Sequence, residues 1–159
     1  MKYNRQKLTD MLIVHEGCVL TVYLDSLGID TIGIGRNIQH RGITDKELTY
    51  LGYYDIIDVY AEGITEDGAR HLLENDISIV ERELLEAHSC VEFLTDNRII
   101  VLLNMAFNLG VPRLCKFRKM WAEIHEKDFN AASHEMLDSK WARQVKGRAT
   151  ELADLMKAG

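Results

Sequence analysis

Apolar residues recur at helical spacing near the start of the chain. Leu8, Leu12 and His15 fall on one face at positions i, i+4 and i+7, and Gly17 is a residue type that commonly follows the last turn of a helix. We therefore predict a first helix over residues 5–16, with its apolar face packed against the rest of the protein.

The hydrophobic period changes from helical to alternating after this helix. β-branched and aromatic residues predict strands at Val19–Tyr23 and Thr31–Ile34. The segment "DSLG" between them has the Asp and the Gly that are typical of the first and fourth positions of a type I turn. The pattern therefore predicts a small sheet or hairpin between the first helix and the helices that follow.

The remainder of the chain has helical periodicity, interrupted by capping and stop signals. The residues "TDKE" form a capping box and predict a helix at Thr44–Gly63, and a second helix keeps its apolar spacing over Thr65–His88. A strongly apolar helix begins at Thr95 and is stopped by Gly110 and Pro112. Three shorter amphipathic segments are predicted at Phe117–Ile124, Phe129–Leu137 and Arg148–Met156.

These predicted elements make up an α+β fold that is mostly helical. We predict a small β-containing lobe at residues 17–63, a connecting helix at residues 66–88 and a larger helical lobe at residues 89–159, on which the helix of residues 5–16 packs. No repeat, low-complexity tract or flexible linker interrupts the chain. A cleft between two such lobes is the expected place for a ligand.

Length and composition indicate a domain that folds without covalent or metal crosslinks. The chain has 159 residues, of which 47% are hydrophobic, and its three cysteines lack the spacing of a disulfide framework or a zinc site. No apolar run is long enough to cross a bilayer, and the N-terminal "MKYNRQKLTD" lacks the apolar region of a signal peptide. We therefore expect a chain made in the cytoplasm, without stable membrane insertion and with reduced thiols.

The charge of the chain narrows the class of partner. The formal charge is −6, and because binding to nucleic acid requires a clustered basic surface, no nucleic-acid partner is expected. The same charge provides no long-range attraction toward an anionic polymer. The histidines share no metal-ligand spacing, so we expect no metal site.

Two carboxyl groups and a hydroxyl group are the candidates for chemistry. Glu16 ends the first helix, where the helix dipole and apolar neighbours disfavour its charged form, whereas Asp25 lies at an exposed turn and should stay ionised. In "TIGIG", strand alternation places Thr31, Gly33 and Gly35 on one nearly bare face, and such glycines often mark the close approach of a ligand. One protonated and one ionised carboxyl beside a cleft are what cleavage of a glycosidic bond requires.

Each of these features also has an ordinary explanation. Asp25 can be a turn former only, and Glu16 can be a solvated residue at a helix end. Thr31 and its glycines can belong to an ordinary hairpin. Considered one at a time, the residues leave these alternatives open.

The order and spacing of the three residues resemble a known family. Eight residues separate Glu16 from Asp25, and five residues separate Asp25 from Thr31, which lies within "TIGIG". This arrangement resembles the catalytic signature of the T-even bacteriophage lysozyme family, the phage endolysins that cleave peptidoglycan. The resemblance continues through "GITEDGARHLLENDI", "LLNMAFNLG" and "SKWARQVKGRA" and covers most of the chain. It implies a lysozyme-like fold.

The resemblance assigns a role to each matched residue. It implies that Glu16 protonates the leaving glycosidic oxygen, while Asp25 and Thr31 hold the attacking water. Such enzymes invert the anomeric carbon, which requires carboxyls about 6.5 to 9.5 Å apart, and they use no metal or cofactor. Arg148 matches an arginine that contacts the catalytic glutamate. The other matched positions are polar neighbours of the site, Asn104 and Gln144, and residues that line the sugar cleft, Phe107 and Asn108.

The chain departs from the family at several positions. Arg36 stands where the family commonly has a histidine paired with an aspartate of the long helix, and Asp76 occupies the matching place. We therefore predict an Arg36–Asp76 ion pair that is charged more permanently than the histidine version, with a solvated surface arginine as the alternative. Leu27 and Asn37 replace residues that commonly touch substrate, and we expect Asn37 and Gly35 to contribute to substrate binding.

The leading hypothesis is a muramidase, an endolysin that hydrolyses the β-1,4 bond between N-acetylmuramic acid and N-acetylglucosamine and so lyses the host. Without a signal sequence, the protein would wait in the cytoplasm as a monomer until a separate holin-type pore released it to the wall.

Two other functions are considered. One is a catalytically weak module that binds peptidoglycan with a lysozyme fold, although the presence of all three catalytic residues argues against it. The other is a lysozyme module used at the start of infection, which is less favoured because these residues contain no tail-fusion segment.

Overall fold

The computed structural model describes the whole chain, residues 1–159, as three short strands and eleven α-helices. The strands are β1 (Val19–Leu24), β2 (Asp30–Gly33) and β3 (Arg36–Asn37). A 3₁₀ helix occupies Ser89–Phe93. The α-helices are α1 (Arg5–Glu16), α2 (Ile38–Arg41), α3 (Asp45–Leu51), α4 (Ile56–Glu62), α5 (Glu66–Ala87), α6 (Asp96–Leu109), α7 (Val111–Leu114), α8 (Arg118–His125), α9 (Phe129–Leu137), α10 (Lys140–Val145) and α11 (Gly147–Ala158).

The structure confirms an α+β fold that is mostly helical and lysozyme-like. The three strands form one antiparallel sheet in the order β1–β2–β3, which accounts for the predicted β region. The register pairs Tyr23 with Thr31 and Thr31 with Asn37, so these residues form a row across the sheet. Because directly opposed residues project from the same face, the row brings three polar side chains together.

The strand predicted at Thr31–Ile34 ends one residue early. β2 stops at Gly33, and Ile34 and Gly35 form the turn into β3, whose two residues the sequence analysis did not identify as a strand. Gly33 and Gly35 have φ angles of +65° and +74°, which glycine adopts without the steric penalty of a side chain. The alternation expected through "TIGIG" is therefore wrong beyond Gly33, because the chain reverses there.

The helix predicted at Thr44–Gly63 is two helices, and the prediction of a single helix is wrong. The capping box at the start of α3 is present as predicted. However, α3 ends at Leu51, and Gly52 follows with a left-handed φ of +82°. Asp55 then caps α4 by accepting a hydrogen bond from the N–H of Ile57 at 2.9 Å. Gly52 favours the end of one helix and Asp55 favours the start of the next. The helical hydrophobic period is therefore interrupted between them.

The helices predicted beyond residue 65 lie at the expected positions. The Oγ1 of Thr65 accepts a hydrogen bond from the N–H of Gly68 at 3.0 Å and so caps α5, and α6 ends before Gly110 as predicted. The bounds of α8, α9 and α11 agree within two residues with the three short segments. The additional helices α2, α7 and α10 have four to six residues, too few to show a clear hydrophobic period.

The chain divides into two compact units. One comprises Thr9–Ser78, which includes the sheet, α2, α3 and α4. The other, the helical unit, comprises Met1–Leu8 and Ile79–Gly159. The division passes through α1 and α5. The predicted lobes at residues 17–63 and 89–159, with α1 packed on the helical lobe, stay a prediction.

Helix α6 lies at the centre of the helical unit. Every residue from Ile99 to Ala106 is buried, and the helix packs against α7 and α11. A helix that is apolar on all faces is stable in water only when other elements surround it. Asn104 is the one polar side chain in this stretch, so it requires a hydrogen-bonding partner. Neither α6 nor any other helix combines the length and the apolar character that crossing a membrane requires.

Candidate active site

Glu16 is the last residue of α1 and lies against the turn between β2 and β3. Gly17 follows with a φ of +73°, and its N–H donates to the carbonyl of Ile13 at 3.0 Å, which ends the helix. A Cβ atom placed on Gly35 would lie 3.4 Å from Oε2 of Glu16 and 3.5 Å from its Cβ and Cγ. The backbone of the turn is therefore the surface on which the Glu16 side chain rests.

The predicted "DSLG" turn is present and orients Asp25. The N–H of Gly28 donates to the Asp25 carbonyl at 2.9 Å, which closes the turn. The N–H groups of Leu27 and Ile29 donate to Asp25 Oδ1 at 2.8 and 3.0 Å. None of these bonds engages Oδ2. Asp25 is thus a turn former, as the ordinary explanation states, and also a carboxylate held in a fixed orientation.

Thr31 is connected to Asp25 through one carbonyl group. The carbonyl oxygen of Ile29 accepts hydrogen bonds from the Asp25 N–H and from the Thr31 hydroxyl, both at 3.0 Å. Thr31 is only 4% exposed, so its face of the strand is covered and not bare as predicted. Because the hydroxyl donates its proton to Ile29, its oxygen lone pairs remain available as acceptors.

Tyr23 belongs with these residues, although the sequence analysis did not identify it. It lies opposite Thr31 in the sheet. The pKa of its phenol is raised by burial, by the negative charge of Glu16 and by that of Asp25. The charges of both carboxylates therefore act on one phenol group. The sequence contained one signal for the role of Tyr23, its two-residue spacing from Asp25, which is typical of residues on one face of a strand.

Gly33 and Asn37, which were expected to face a ligand, also have structural roles. A Cβ atom on Gly33 would lie 3.3 Å from the Cβ of Ala69, so Gly33 allows close packing on α5, and the prediction that it belongs to a bare face is wrong. The Oδ1 atom of Asn37 accepts a hydrogen bond from the N–H of His40 at 2.9 Å and caps α2. The substrate contacts expected of Asn37 and Gly35 stay predictions.

The ion pair predicted between Arg36 and Asp76 is present and is part of a larger buried network. Arg36 Nε donates to Asp76 Oδ2 at 2.8 Å, and Arg36 Nη2 donates to Glu47 Oε1 at 2.7 Å, with all three side chains at most 5% exposed. The guanidinium also donates to the carbonyls of Gly42 and Leu72. Arg36 therefore connects β3, α3 and α5, which excludes the alternative of a solvated arginine. The sequence indicates Glu47 only as the acidic residue of the capping box.

The two carboxylates of this network differ in how well they are stabilised. Burial opposes ionisation of Glu47, but hydrogen bonds from Arg36, the N-cap backbone and Asn75 outweigh it and lower the pKa of Glu47 to about 2. Burial raises the pKa of Asp76 despite the charges of Arg36 and Arg41. Asp76 Oδ1 accepts no hydrogen bond, and Arg41 Nε lies 3.5 Å from it. Burial also opposes ionisation of Arg36, but Glu47 and Asp76 outweigh it and raise its pKa.

The helical unit contains the remaining predicted residues. Arg148 Nε donates to Asn104 Oδ1 at 3.0 Å, and Arg148 Nη2 donates to the Asn104 carbonyl at 3.2 Å, which satisfies the buried amide of α6. Trp141 Nε1 donates to Asn108 Oδ1 at 2.9 Å. The contact that the family resemblance implies between Arg148 and Glu16 stays a prediction.

Three further residues were expected to lie at or near the sugar cleft. Phe107 is half-buried near the end of α6, and the adjacent Asn108 is exposed. Gln144 is exposed on α10 and lines a surface pocket of the helical unit together with Trp141. Their roles in binding or supporting a substrate stay predictions.

The chemistry available in the unit of residues 9–78 comes from two carboxyl groups and one hydroxyl group. A carboxyl group can protonate a leaving oxygen, and a carboxylate with a hydroxyl can hold a water molecule. These are the functional groups required for the hydrolysis of an acetal such as a glycoside.

Comparison with known proteins agrees with this chemistry. A sequence model of the phage lysozymes matches residues 14–157. The chain is 31% identical over 160 residues to the pre-baseplate central spike protein of Enterobacteria phage T4, with 96% of this chain aligned but only 28% of the spike protein spanned. It is 29% and 28% identical to the probable T4-type lysozymes 1 and 2 of Dictyostelium discoideum, with 94% of each spanned.

Proposed function

Because the chain belongs to the phage lysozyme family, we propose that it is a glycosidase that hydrolyses the β-1,4 bond between N-acetylmuramic acid and N-acetylglucosamine in peptidoglycan. The observation that carries the proposal is that Glu16 lies against the Gly35 turn, while the carbonyl of Ile29 links Asp25 to Thr31. These side chains come from α1, the turn after β1 and the sheet.

Glu16 acts as the general acid in this proposal. Its carboxyl group, supported by the turn at Gly35, protonates the glycosidic oxygen as the bond from that oxygen to the anomeric carbon breaks. The proton neutralises the negative charge that would otherwise develop on the leaving sugar. A side chain held against the backbone keeps the carboxyl in place during this transfer.

Asp25 and Thr31 hold the attacking water. With Oδ1 bound by the N–H groups of Leu27 and Ile29, Oδ2 of Asp25 is oriented to accept one proton of the water. The Thr31 hydroxyl donates to Ile29, so its oxygen accepts the other proton. The water then presents a lone pair to the anomeric carbon, Asp25 removes a proton as the new bond forms, and the carbon is inverted.

The substitution Glu16→Gln tests the role of the acid. An amide cannot donate the required proton, so the rate of release of soluble fragments from isolated sacculi should fall by about 10² to 10⁴-fold, while binding to sacculi persists. Glu62→Gln, at an exposed position at the end of α4, is the matched control and should keep the parental rate. A parent protein that binds sacculi without releasing fragments would instead support the binding-module alternative.

The anomeric configuration of the first product tests the role of Asp25. Proton NMR of a short peptidoglycan oligosaccharide during cleavage should show the α anomer before mutarotation, because a single displacement by water inverts a β-linkage. Initial formation of the β anomer would contradict the proposed water and indicate a covalent intermediate.

We further propose that this hydrolysis lyses a bacterial host, with the monomeric protein accumulating in the cytoplasm and reaching the wall through a holin-type pore. Expression in Gram-negative cells should cause lysis only when a pore-forming membrane protein is co-expressed. Equal lysis by the protein alone would contradict the requirement for a pore, and no lysis in either case would contradict the role in lysis.

The match to the central spike protein favours a second candidate role for the same chemistry. This chain corresponds to 28% of that protein, so a related segment also occurs within a protein named for a baseplate spike. In that role, hydrolysis would open the wall at the start of infection. Mass spectrometry of purified virions separates the two roles: peptides of this chain in stoichiometric amounts support the spike role, whereas peptides found only in extracts of infected cells support lysis.

A further inference from the structure

The helical unit contains a pocket of about 520 Å³ bounded by residues of α7, α8, α9 and α10. Basic side chains dominate its wall, and one carboxylate accompanies them. In a chain with a formal charge of −6, five cations at one pocket represent a strong local excess of positive charge. The charged residues of the wall are Arg113, Lys116, Arg118, Lys119, Lys140 and Glu135.

No ion pair within the protein compensates these five cations. All five are exposed, and none of their side chains forms an ion pair or a hydrogen bond. Like charges that are held close together repel one another, most strongly at low ionic strength. The pocket is therefore electrostatically complementary to an anion that the chain does not itself supply.

The start of α8 strengthens this positive potential. Arg118 and Lys119 occupy the first turn of the helix, which contains no acidic residue, and the N-cap Phe117 makes no side-chain capping bond. A helix N-terminus already has a partial positive charge and normally favours acidic residues. Two cations at this end add to the positive potential of the helix N-terminus, which a bound anion would offset.

Aromatic rings form another part of the wall. Phe117 and Trp141 pack edge to face, with ring centroids 6.3 Å apart and an interplanar angle of 79°. The indole N–H of Trp141 donates to Asn108, which fixes the orientation of the ring. A flat apolar surface beside cations is suited to a ligand in which a sugar ring carries anionic groups.

We propose that this pocket binds a compact ligand with two or more phosphate groups on a sugar-like ring. A single carboxylate compensates one cation, whereas a phosphomonoester carries up to two charges and three acceptor oxygens. The guanidinium groups of Arg113 and Arg118 can each bind phosphate through two parallel hydrogen bonds. The pocket volume also lies within the range of small-ligand sites, about 300 to 1,000 Å³.

This proposal does not depend on the proposed glycosidase activity. All residues of the pocket lie in the helical unit, and Gln144 is the one predicted site residue among them, so Glu16, Asp25 and Thr31 take no part in it. Binding can therefore be measured in the absence of any peptidoglycan, and failure of one proposal would not be mistaken for failure of the other.

Isothermal titration calorimetry of the full chain with inorganic tripolyphosphate tests the site. The double variant Lys116→Gln/Lys119→Gln removes two pocket charges and should weaken binding by about tenfold or more, since charge-assisted hydrogen bonds are lost. The control Arg82→Gln/Lys157→Gln removes two exposed charges outside the pocket and should keep the affinity within about twofold. An equal loss in both double variants would overturn the pocket as the site.

Citrate, a polycarboxylate, tests the class of the anion. We expect it to bind at least about tenfold more weakly than tripolyphosphate. Equal binding of citrate, or binding of a muropeptide without binding of tripolyphosphate, would overturn the choice of phosphate and assign the pocket to carboxylates instead.

A phosphorylated glycolipid in neutral detergent micelles, compared with its dephosphorylated form, distinguishes the source of the phosphate. Selective binding of the phosphorylated form that tripolyphosphate displaces supports the proposal with a lipid-borne ligand. Binding of tripolyphosphate without binding of either micelle supports the proposal with a soluble ligand.

Discussion

The contact between Glu16 and Gly35 shows how a residue without a side chain supports a candidate catalytic group. The position of Gly35 combines a φ of +74° with a space in which a Cβ atom would touch the Glu16 carboxyl. The first property concerns the stability of the turn, and the second concerns the position of the proposed acid. The two effects can be separated, because Gly42 has a similar φ of +64° and no atom within 4 Å of its Cβ position.

We expect Gly35→Ala to lower both stability and activity. The left-handed conformation should cost about 1 to 2 kcal/mol in either Gly35→Ala or Gly42→Ala. Only the Gly35→Ala variant displaces Glu16, so its kcat on sacculi should fall about tenfold or more, whereas Gly42→Ala should keep kcat within about twofold. Urea denaturation and initial rates measure the two effects, and equal kcat values in the two variants would show that the Gly35 contact does not position Glu16.

At the scale of secondary-structure elements, Arg36 provides the main polar connection among β3, α3 and α5. It compensates two buried carboxylates and also binds two backbone carbonyls. Such a network adds little compared with apolar packing, but removing its centre leaves Glu47 and Asp76 buried without compensation. The partly exposed Arg41, whose side chain is 31% exposed, contacts only one of the two acids.

We expect Arg36→Ala to destabilise the protein by about 3 to 5 kcal/mol at neutral pH, because two buried charges lose their principal partner. The control Arg41→Ala should cost less than about 1 kcal/mol, since its ion pair is longer and is screened by solvent. Urea denaturation of both variants provides the comparison. Costs within 1 kcal/mol of each other would mean that Arg36 is not the centre of the network.

Glu47 should account for part of the acid sensitivity of the protein. Its pKa in the folded state, about 2, lies below its ordinary value of 4.5, so its stabilising contribution is complete above about pH 4.5 and is lost as pH falls toward 2. The raised pKa of Asp76 acts in the opposite direction: its contribution is present below its ordinary value of 3.8 and is lost as pH rises through the folded-state value.

The variant Glu47→Gln cannot titrate at residue 47, so its free energy of unfolding should decline less steeply than that of the parent between about pH 5 and pH 2. The exposed control Glu62→Gln should keep the parental slope. Chemical denaturation across this pH range is the measurement. Parallel curves for the parent and Glu47→Gln would show that Glu47 does not contribute to acid sensitivity.

For the molecule as a whole, charge is distributed unevenly. The formal charge is −6, yet five cations line one pocket of the helical unit. Peptidoglycan carries carboxylates, so the net charge should slow its encounter with the protein without changing the chemical step. This repulsion should depend on ionic strength, because the Debye length falls from about 30 Å at 0.01 M salt to about 3 Å at 1 M.

We expect the triple variant Glu62→Lys/Glu86→Lys/Asp154→Lys, which raises the formal charge from −6 to zero at exposed sites, to have a kcat/KM on sacculi about tenfold above the parent at low salt. The gain should disappear near 1 M salt, and kcat should stay unchanged at all salt concentrations. A gain that persists at high salt would indicate a local effect of the substitutions rather than long-range attraction.

Local sequence was sufficient for most helices and for the order of the candidate catalytic residues. Caps, stop signals and apolar spacing act over a few residues, which is why α5, α6 and α9 begin and end where the pattern indicates. Thr44 forms the predicted capping box, whereas Thr95 precedes α6 without a side-chain cap. A threonine before an apolar period therefore located the start of both helices, although only Thr44 forms the capping bond. The spacing of Glu16, Asp25 and Thr31 indicated the family before any contact was known.

Long-range contacts determined what this pattern could not reveal. The pairing of Tyr23 with Thr31, the ion pair of Glu47 with Arg36 and the packing of Gly33 on α5 each join different elements. The same holds for the cations of the pocket, which come from α7, α8, α10 and the segment between α7 and α8. Periodicity indicates which face of an element is apolar, but not which element packs on that face or where a charge finds its partner. Those depend on how the folded chain satisfies burial and hydrogen bonding at once, and therefore on tertiary packing.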